Sequence, residues 1–219
     1  MIKSIDKFLI KYSYLTFLIS LIIWIGLSPV IEIVISSGLV DLIMLNVIII
    51  SSYYFFYHSG NKIVSFILVP ISALITWLSY FLPDINLLPT IERIIMLLLF
   101  LFITIHLIVK IFKSKSVDEN VIYASIAGYI MIGLMASILC WVVNWLSPNS
   151  YNIPYESGRI LDFAYYSFVT MSTLGYGDVT PINEASRSLA IFITLIGQFY
   201  MTVLIALLIG KFISQKNQE

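Results

Sequence analysis

Six long apolar, charge-poor stretches, about 10–28, 38–57, 63–82, 93–112, 120–146 and 187–211, limit what this chain can fold into more than any other feature. A bilayer core of about 30 Å is crossed by roughly 20 apolar residues of helix, and each stretch has about that length. Lipid offers backbone N–H and C=O groups no partner, so a spanning segment has to satisfy them within itself, as a helix. Only 11% of the residues are charged and 60% are hydrophobic, whereas about a quarter of an ordinary soluble domain is charged. An integral membrane protein follows. Its net charge of zero leaves no basic surface for nucleic acid. Cys140 is the one cysteine, so no intrachain disulfide forms. His58 and His106 stand alone, without metal-ligand spacing. The apolar run that starts near Phe8 is too long for a signal peptide and lacks a small-residue cleavage site, so it too is read as a span.

Polar turns divide the spans at Ser28-Pro29, at His58 to Lys62, from Pro83-Asp84 to Pro89 and from Lys113 to Asn120. Glu32 and Asp41 flank or enter the second span, and Ser36-Ser37-Gly38 breaks the chain at its start. With the amino terminus in the cytoplasm, Lys3, Lys7, Lys11, Lys62, Lys110, Lys113, Lys115, Lys211 and Lys216 all fall at the inner face, against Arg93, Arg159 and Arg187 outside. Nine against three is the positive-inside bias. Trp24, Trp77, Trp141 and Trp145 then sit near the outer ends of their spans, where interfacial aromatics collect. The same orientation decides what residues 160–179 do. They are too apolar for a loop, yet a crossing there would carry Lys211 and Lys216 outside. A re-entrant segment resolves the conflict. Leu161 to Ser172, free of Gly and Pro, makes a short helix of about 18 Å, with Asp162 at the positive end of its dipole. Thr173 to Gly177 returns in extended form over about 17 Å.

That return carries Thr173-Leu174-Gly175-Tyr176-Gly177-Asp178. Two glycines in alternation admit backbone conformations closed to other residues, so successive carbonyls can point one way. A ladder of such oxygens replaces the water around a cation. Irregular backbone at membrane depth needs protein around it or a wet cavity beside it. The motif resembles the selectivity filter of potassium channels, Thr-Val-Gly-Tyr-Gly-Asp, with Leu174 in the valine place. Over residues 119 to 213 the chain is similar to the pore unit of the six-span, one-pore-loop tetrameric cation channels; the first half shares only the number of spans.

The resemblance implies a homotetramer, each chain with three identical partners around one axis in the lipid bilayer. K+ is then the permeant ion, held by the carbonyls of Thr173, Leu174, Gly175 and Tyr176 and the Thr173 hydroxyl, with Gly177 completing the filter and no cofactor. The pore helix aims its partly negative carboxyl end at the inner cavity. Asp178 falls at the outer mouth, concentrating cations and taking a hydrogen bond from Tyr165, which stands where many relatives have tryptophan. Tyr165 and Tyr166 occupy the place of an aromatic pair packed as a cuff behind the filter tyrosine; ordinary core is the competing reading. Val169 replaces a glutamate buried behind the filter in some relatives, so no carboxylate pair is expected there. Leu174 changes the packing and leaves its carbonyl in place, so selectivity should survive. Gly197, twenty residues after Gly177, is either the bend that opens the inner helix or a packing glycine. Met201, Ile205 and Ile209 recur at i+4 and form either an apolar constriction that closes by dewetting or a lipid-facing stripe.

The expected fold is an all-α integral membrane protein with six transmembrane helices, a re-entrant pore helix and an extended selectivity filter. Residues 1–118 form a four-helix peripheral domain, 119–213 the pore domain and 214–219 a short cytoplasmic tail. Its place is the cell membrane, plasma or inner, with both termini cytoplasmic. A voltage sensor carries arginines at every third residue of its fourth span, each gating charge contributing about 2.3 kcal/mol per 100 mV. Ile94 to Val109 holds none, with Arg93 at the outer edge and Lys110 and Lys113 at the inner edge. Steep voltage dependence is therefore not expected. Asp41 and His106 are the ionisable groups well inside these helices, either paired or reaching polar neighbours. After Lys211 only eight residues remain, too few for a ligand-binding domain on this chain. Enzymatic chemistry is the contrasting class: Gly175-Tyr176-Gly177-Asp178 also satisfies the Gly-x-Gly-Asp of intramembrane aspartyl proteases. That reaction needs two aspartates at one depth. Asp41 is the sole partner, it lacks a preceding tyrosine, and no Pro-Ala-Leu string follows. The remaining alternatives are a nonselective cation channel and a non-conducting auxiliary subunit.

Overall fold

The computed structural model describes residues 12–31, 37–58, 63–82, 84–85, 87–153 and 160–216. Lys3, Lys7, Lys11, Glu32, Lys62, Arg159 and the tail from residue 217 lie outside the described residues. Those described fold as α1 (Ser13–Ile31), α2 (Ser37–His58), a π-helical turn (Val64–Leu68) running into α3 (Val69–Phe81), α4 (Leu88–Lys113), α5 (Glu119–Leu146), α6 (Ile160–Met171) and α7 (Glu184–Lys216). Among them no strand forms beyond one isolated bridge, Tyr151 to Pro181. Val64–Phe81, α4, α5 and α7 are long and apolar enough to cross a bilayer, and Ser13–Ser28 and Gly38–Tyr54 are shorter apolar stretches. The chain is an all-α membrane protein.

One boundary departs from the sequence reading and one span, found where expected, carries a local irregularity, each for a local reason. Helix α1 continues through Ser28 and Pro29 to Ile31, where a turn was expected. Ser28 is buried and its hydroxyl donates to Asp41 Oδ1 at 3.0 Å, so it belongs to helix packing rather than to a solvated turn. Ahead of α3, the Val69 N–H bonds back five residues to the Val64 carbonyl. Pro70 follows directly; proline lacks an N–H and crowds the carbonyl four residues before it, and one wider turn relieves that crowding.

The chain divides into two compact units, the first Met1–Lys113 with Asp118–Ala127, the second Ser114–Val117 with Gly128–Glu219. In the first, α1 packs on α2, α2 on α3 and α3 on α4. Phe17, Leu21, Trp24, Ile48, Leu99 and Ile103 are fully buried there. Asp41 and His106 do not pair. Asp41 Oδ1 accepts the Trp24 indole N–H at 3.3 Å as well as the Ser28 hydroxyl. His106 Nε2 lies 3.2 Å from the Tyr14 hydroxyl, the two rings stack, and the Lys110 ammonium lies 5.7 Å from the centre of the Tyr14 ring. Each polar group thus reaches a neighbour of the opposite character, which in lipid is the alternative to an unsatisfied dipole.

In the second unit the contacts that position the re-entrant segment are made at glycines. A Cβ on Gly133 would meet the Phe168 ring, with ring carbon Cζ at 2.7 Å. The missing side chain lets α6 approach α5 closely enough for the Ser167 hydroxyl to donate to the Gly133 carbonyl at 2.8 Å. Gly128 receives the Tyr200 ring of α7 in the same way. Small residues at contacts are how membrane helices gain dispersion energy where hydrophobic burial gives none. Gly133→Ala should therefore lower the thermal stability of the solubilised protein by about 1–3 kcal/mol through overpacking. Gly26→Ala, where nothing lies within 4 Å, should not. Equal melting temperatures for the two variants would show that this contact does not hold α6 in place.

Candidate functional site

Helix α6 is short because its sequence supplies both a beginning and an end. Asp162 sits in the first turn, where a carboxylate meets the partly positive N–H groups. At the other end every last-turn carbonyl is taken. Phe168 O accepts the Ser172 N–H (3.0 Å) and hydroxyl (2.6 Å); Val169 O accepts the N–H groups of Leu174 (3.0 Å) and Gly175 (3.3 Å). Thr170 O accepts the Thr173 N–H at 3.1 Å. Met171 O takes an amide N–H from Gln198 of α7 at 3.4 Å. Four carbonyls are normally orphaned at a helix end; here the chain folds back to meet them.

From Thr173 onward the backbone alternates. Thr173, Gly175 and Gly177 have φ of 62°, 54° and 82°, whereas Leu174 and Tyr176 between them are not in the left-handed region. Alternating hands turn successive peptide planes the same way, the geometry that in nests aligns N–H groups on an anion. For the glycines this conformation carries no steric cost. Thr173 has a branched Cβ and pays roughly 1–2 kcal/mol for it. Residues Ser172 to Asp178 are all exposed in the single chain, Leu174 at 59% and Tyr176 at 67%, apolar surface that the chain itself leaves uncovered.

The far end of the segment is fastened to its own chain. The Tyr165 hydroxyl donates to Asp178 Oδ2 at 2.6 Å. This donor holds the Asp178 carboxyl below the ordinary carboxylate range. Beyond it, the Asn152 N–H bonds Thr180 O (2.9 Å) and the Ile182 N–H bonds Ser150 O (2.8 Å) around the Tyr151–Pro181 bridge. Asn183 donates to the hydroxyls of Ser150 (2.6 Å) and Ser147 (3.1 Å) and caps α7 by accepting the Ser186 N–H (2.9 Å).

The expected site residues separate into distinct surroundings. Tyr165 is exposed and bonded to Asp178, whereas Tyr166, one residue on, is buried with Tyr151, Phe163 and Cys140, its ring centre 5.0 Å from that of Tyr151. Adjacent residues of a helix point about 100° apart, so the pair divides between the segment and the core. Val169 meets the segment through its carbonyl, which accepts the Leu174 and Gly175 N–H groups. Gly197 is buried against the end of α6: a Cβ there would lie 2.7 Å from Met171 O, and α7 runs unbroken across it. Met201, Ile205 and Ile209 are all exposed along one face of α7. Sequence reading did not single out Gly128, Gly133, Ser167, Asn183 or Gln198. A glycine in an apolar helix is so common that only its contact partner gives it meaning.

Residues 124–214 match an ion channel family. Two-pore potassium channel 2 of Arabidopsis thaliana is 30% identical over 93 residues, 42% of this chain and 19% of that protein. Two-pore potassium channel 3 of the same plant is 27% identical over 93 residues, again 42% and 19%. The hyperpolarization-activated voltage-gated potassium channel of Methanocaldococcus jannaschii is 28% identical over 81 residues, 36% of this chain and 35% of that protein. The chain thus spans only about a fifth to a third of the length of these curated relatives. No solved structure matches. Over this segment the chain is similar to ion channels, among them plant and archaeal proteins named as potassium channels.

Tyr165→Phe removes the donor that favours the ionised form of Asp178, so the carboxyl should protonate at higher pH than in the native protein. Nuclear magnetic resonance of carboxyl-labelled aspartate reads the midpoint directly. A midpoint that stays where it was would mean that the hydroxyl is not what lowers it.

Proposed function

We propose that this chain forms a homotetrameric, potassium-selective pore through which K+ moves passively. The observation that carries the reading is the alternation of left-handed backbone at Thr173, Gly175 and Gly177, in a segment whose neighbouring helix carbonyls are all bonded elsewhere. Carbonyls of Thr173, Leu174, Gly175 and Tyr176 are thereby left as ligands for a dehydrating cation, with the Thr173 hydroxyl below them. One chain supplies one such segment. Four copies enclose an ion, and the exposed Leu174 and Tyr176 would find cover against neighbouring copies. That the similar plant and archaeal proteins are named potassium channels supports K+ over other cations.

In this pore Asp178 faces the outer mouth, steadied by Tyr165, and gathers cations there. Tyr166 and Val169 support the filter, the first through the core behind α6 and the second through its carbonyl. Gly197 anchors α7 against α6, and bending about that point moves Met201, Ile205 and Ile209 toward or away from the axis. Counting α1, α2, α3 with its π turn, α4, α5 and α7 as crossings gives six spans. With lysine-rich ends inside, both termini are cytoplasmic and the protein sits in the cell membrane. Helix α4 has Arg93 near its start and Lys110 and Lys113 in its last turn, with no arginine between. It therefore supplies no ladder of gating charge.

Purified protein in liposomes with a potassium gradient should show barium-sensitive K+ flux and far smaller Na+ flux. Equal flux of both ions would reduce the reading to a nonselective pore. Gly177→Ala forces a Cβ into the left-handed region (φ 82°) at a cost of roughly 1–2 kcal/mol per chain. It should abolish flux while the tetramer stays assembled on size exclusion. A current–voltage series should lack steep activation; a conductance rising tenfold over tens of millivolts would overturn the account of α4.

A further inference from the structure

The hydroxyls of Tyr151 and Tyr166 are buried without a hydrogen-bond partner among the described residues. Both residues are only 4% exposed. They come from separate elements, Tyr166 from α6 and Tyr151 from the arm that pairs with Pro181, and their ring centres lie 5.0 Å apart at an interplanar angle of 61°. Cys140 of α5, fully buried, completes the group: its thiol is near enough to act electrostatically on both hydroxyls. Thr170, one turn further along α6, stands beside the Tyr166 hydroxyl. Neither neighbour meets a tyrosine hydroxyl in hydrogen-bond geometry. A phenol O–H has one proton to donate and lone pairs to fill. Burying it with none of these used is costly, which is why the large majority of buried polar atoms in folded proteins have a partner.

We propose that this cluster binds one water molecule, which accepts the Tyr151 and Tyr166 protons and donates toward the Cys140 sulfur and the Thr170 hydroxyl. Buried waters typically make about three hydrogen bonds, to polar groups that the chain leaves unsatisfied. Sulfur is a weak acceptor, so a thiol alone serves a phenol poorly, whereas a water oxygen serves two. The site is distinct from the segment 173–178. On α6 it is Tyr165 that reaches Asp178, and Tyr166 leaves the helix about 100° round from it. The consequence is mechanical. Asn152 and Ser150, on either side of Tyr151, bond Thr180 and Ile182 beyond the segment. A water held between Tyr151 and Tyr166 fastens that arm to α5 and α6 from within the core. No part of this depends on ion conduction.

The test uses the full-length solubilised protein, native and with Tyr151→Phe, Tyr166→Phe and both changes together. Each single change takes one donor from the water and should lower the melting temperature by about 2–4 °C. The double change should lower it by clearly less than the two single losses combined, because both act on one shared partner. Single variants that melt at or above the native temperature overturn the proposal, since that is the result of removing an unbonded buried hydroxyl. Losses that simply add also overturn it, because they require separate partners. Nuclear magnetic resonance of the native protein labelled at tyrosine reads the site directly: both hydroxyl protons should exchange slowly and show cross-relaxation to a long-lived water. Hydroxyl protons without that cross-relaxation rule the water out, even where the melting temperatures fall.

Discussion

A peptide carbonyl that leaves its helix inside a bilayer has to bond to something, and that requirement governs the arrangement of residues 168–182. The chain meets it by folding back upon itself at both ends of the unwound segment. Below, the last-turn carbonyls of α6 are taken by Ser172, Thr173, Leu174, Gly175 and the Gln198 amide. Above, Ser150 to Asn152 pair with Thr180 to Ile182, and Asn183 ties Ser147 and Ser150 to the start of α7. Between those closures the carbonyls of the segment have no such partner among the described residues, which is the basis for proposing them as ligands of an ion.

Helix contacts that hold this arrangement are made by absence of side chain. Gly128 accepts Tyr200, Gly133 accepts Phe168 and Gly197 accepts Met171. In water a burial term would help draw these helices together; in lipid, close approach and the hydrogen bonds it permits have to serve. The Ser167 bond to Gly133 O and the Gln198 bond to Met171 O are both of that kind, each beside a glycine contact. Further along, Lys211 donates to Ser114 O (2.6 Å) and the Val117 N–H to Gln215 Oε1 (3.3 Å), so the linker ahead of α5 is held to the last turns of α7.

Much of this was legible in the sequence because membranes make strong demands. Apolar length alone located the helices to within a few residues, and charge parity turned Leu161 to Ser172 back on itself; the helix observed is Ile160–Met171. The six-residue motif pointed to the site because alternate glycines answer a need that few other backbones have. What stayed hidden was partnership. Nothing in the order of residues says that Asp41 meets Trp24 and Ser28 while His106 meets Tyr14, because any short polar group would satisfy the same dipole. Ser28-Pro29 looked like a turn, since its buried bond to α2 is a fact of three dimensions. Likewise the left-handed Thr173 contradicts its own local preference, and only the bonds around it hold it there.

One consequence follows from the way the two ends are fastened. Both anchors belong to the same polypeptide that carries the unwound segment, so the vertical spacing between its oxygens is settled within a single protomer before any assembly. In the homotetramer proposed above the bore is another matter: how far the oxygens of one protomer stand from the axis is left to contacts between copies. Length and width of such a pore would thus be under separate physical control, so that a substitution at a boundary between copies alters calibre without disturbing pitch.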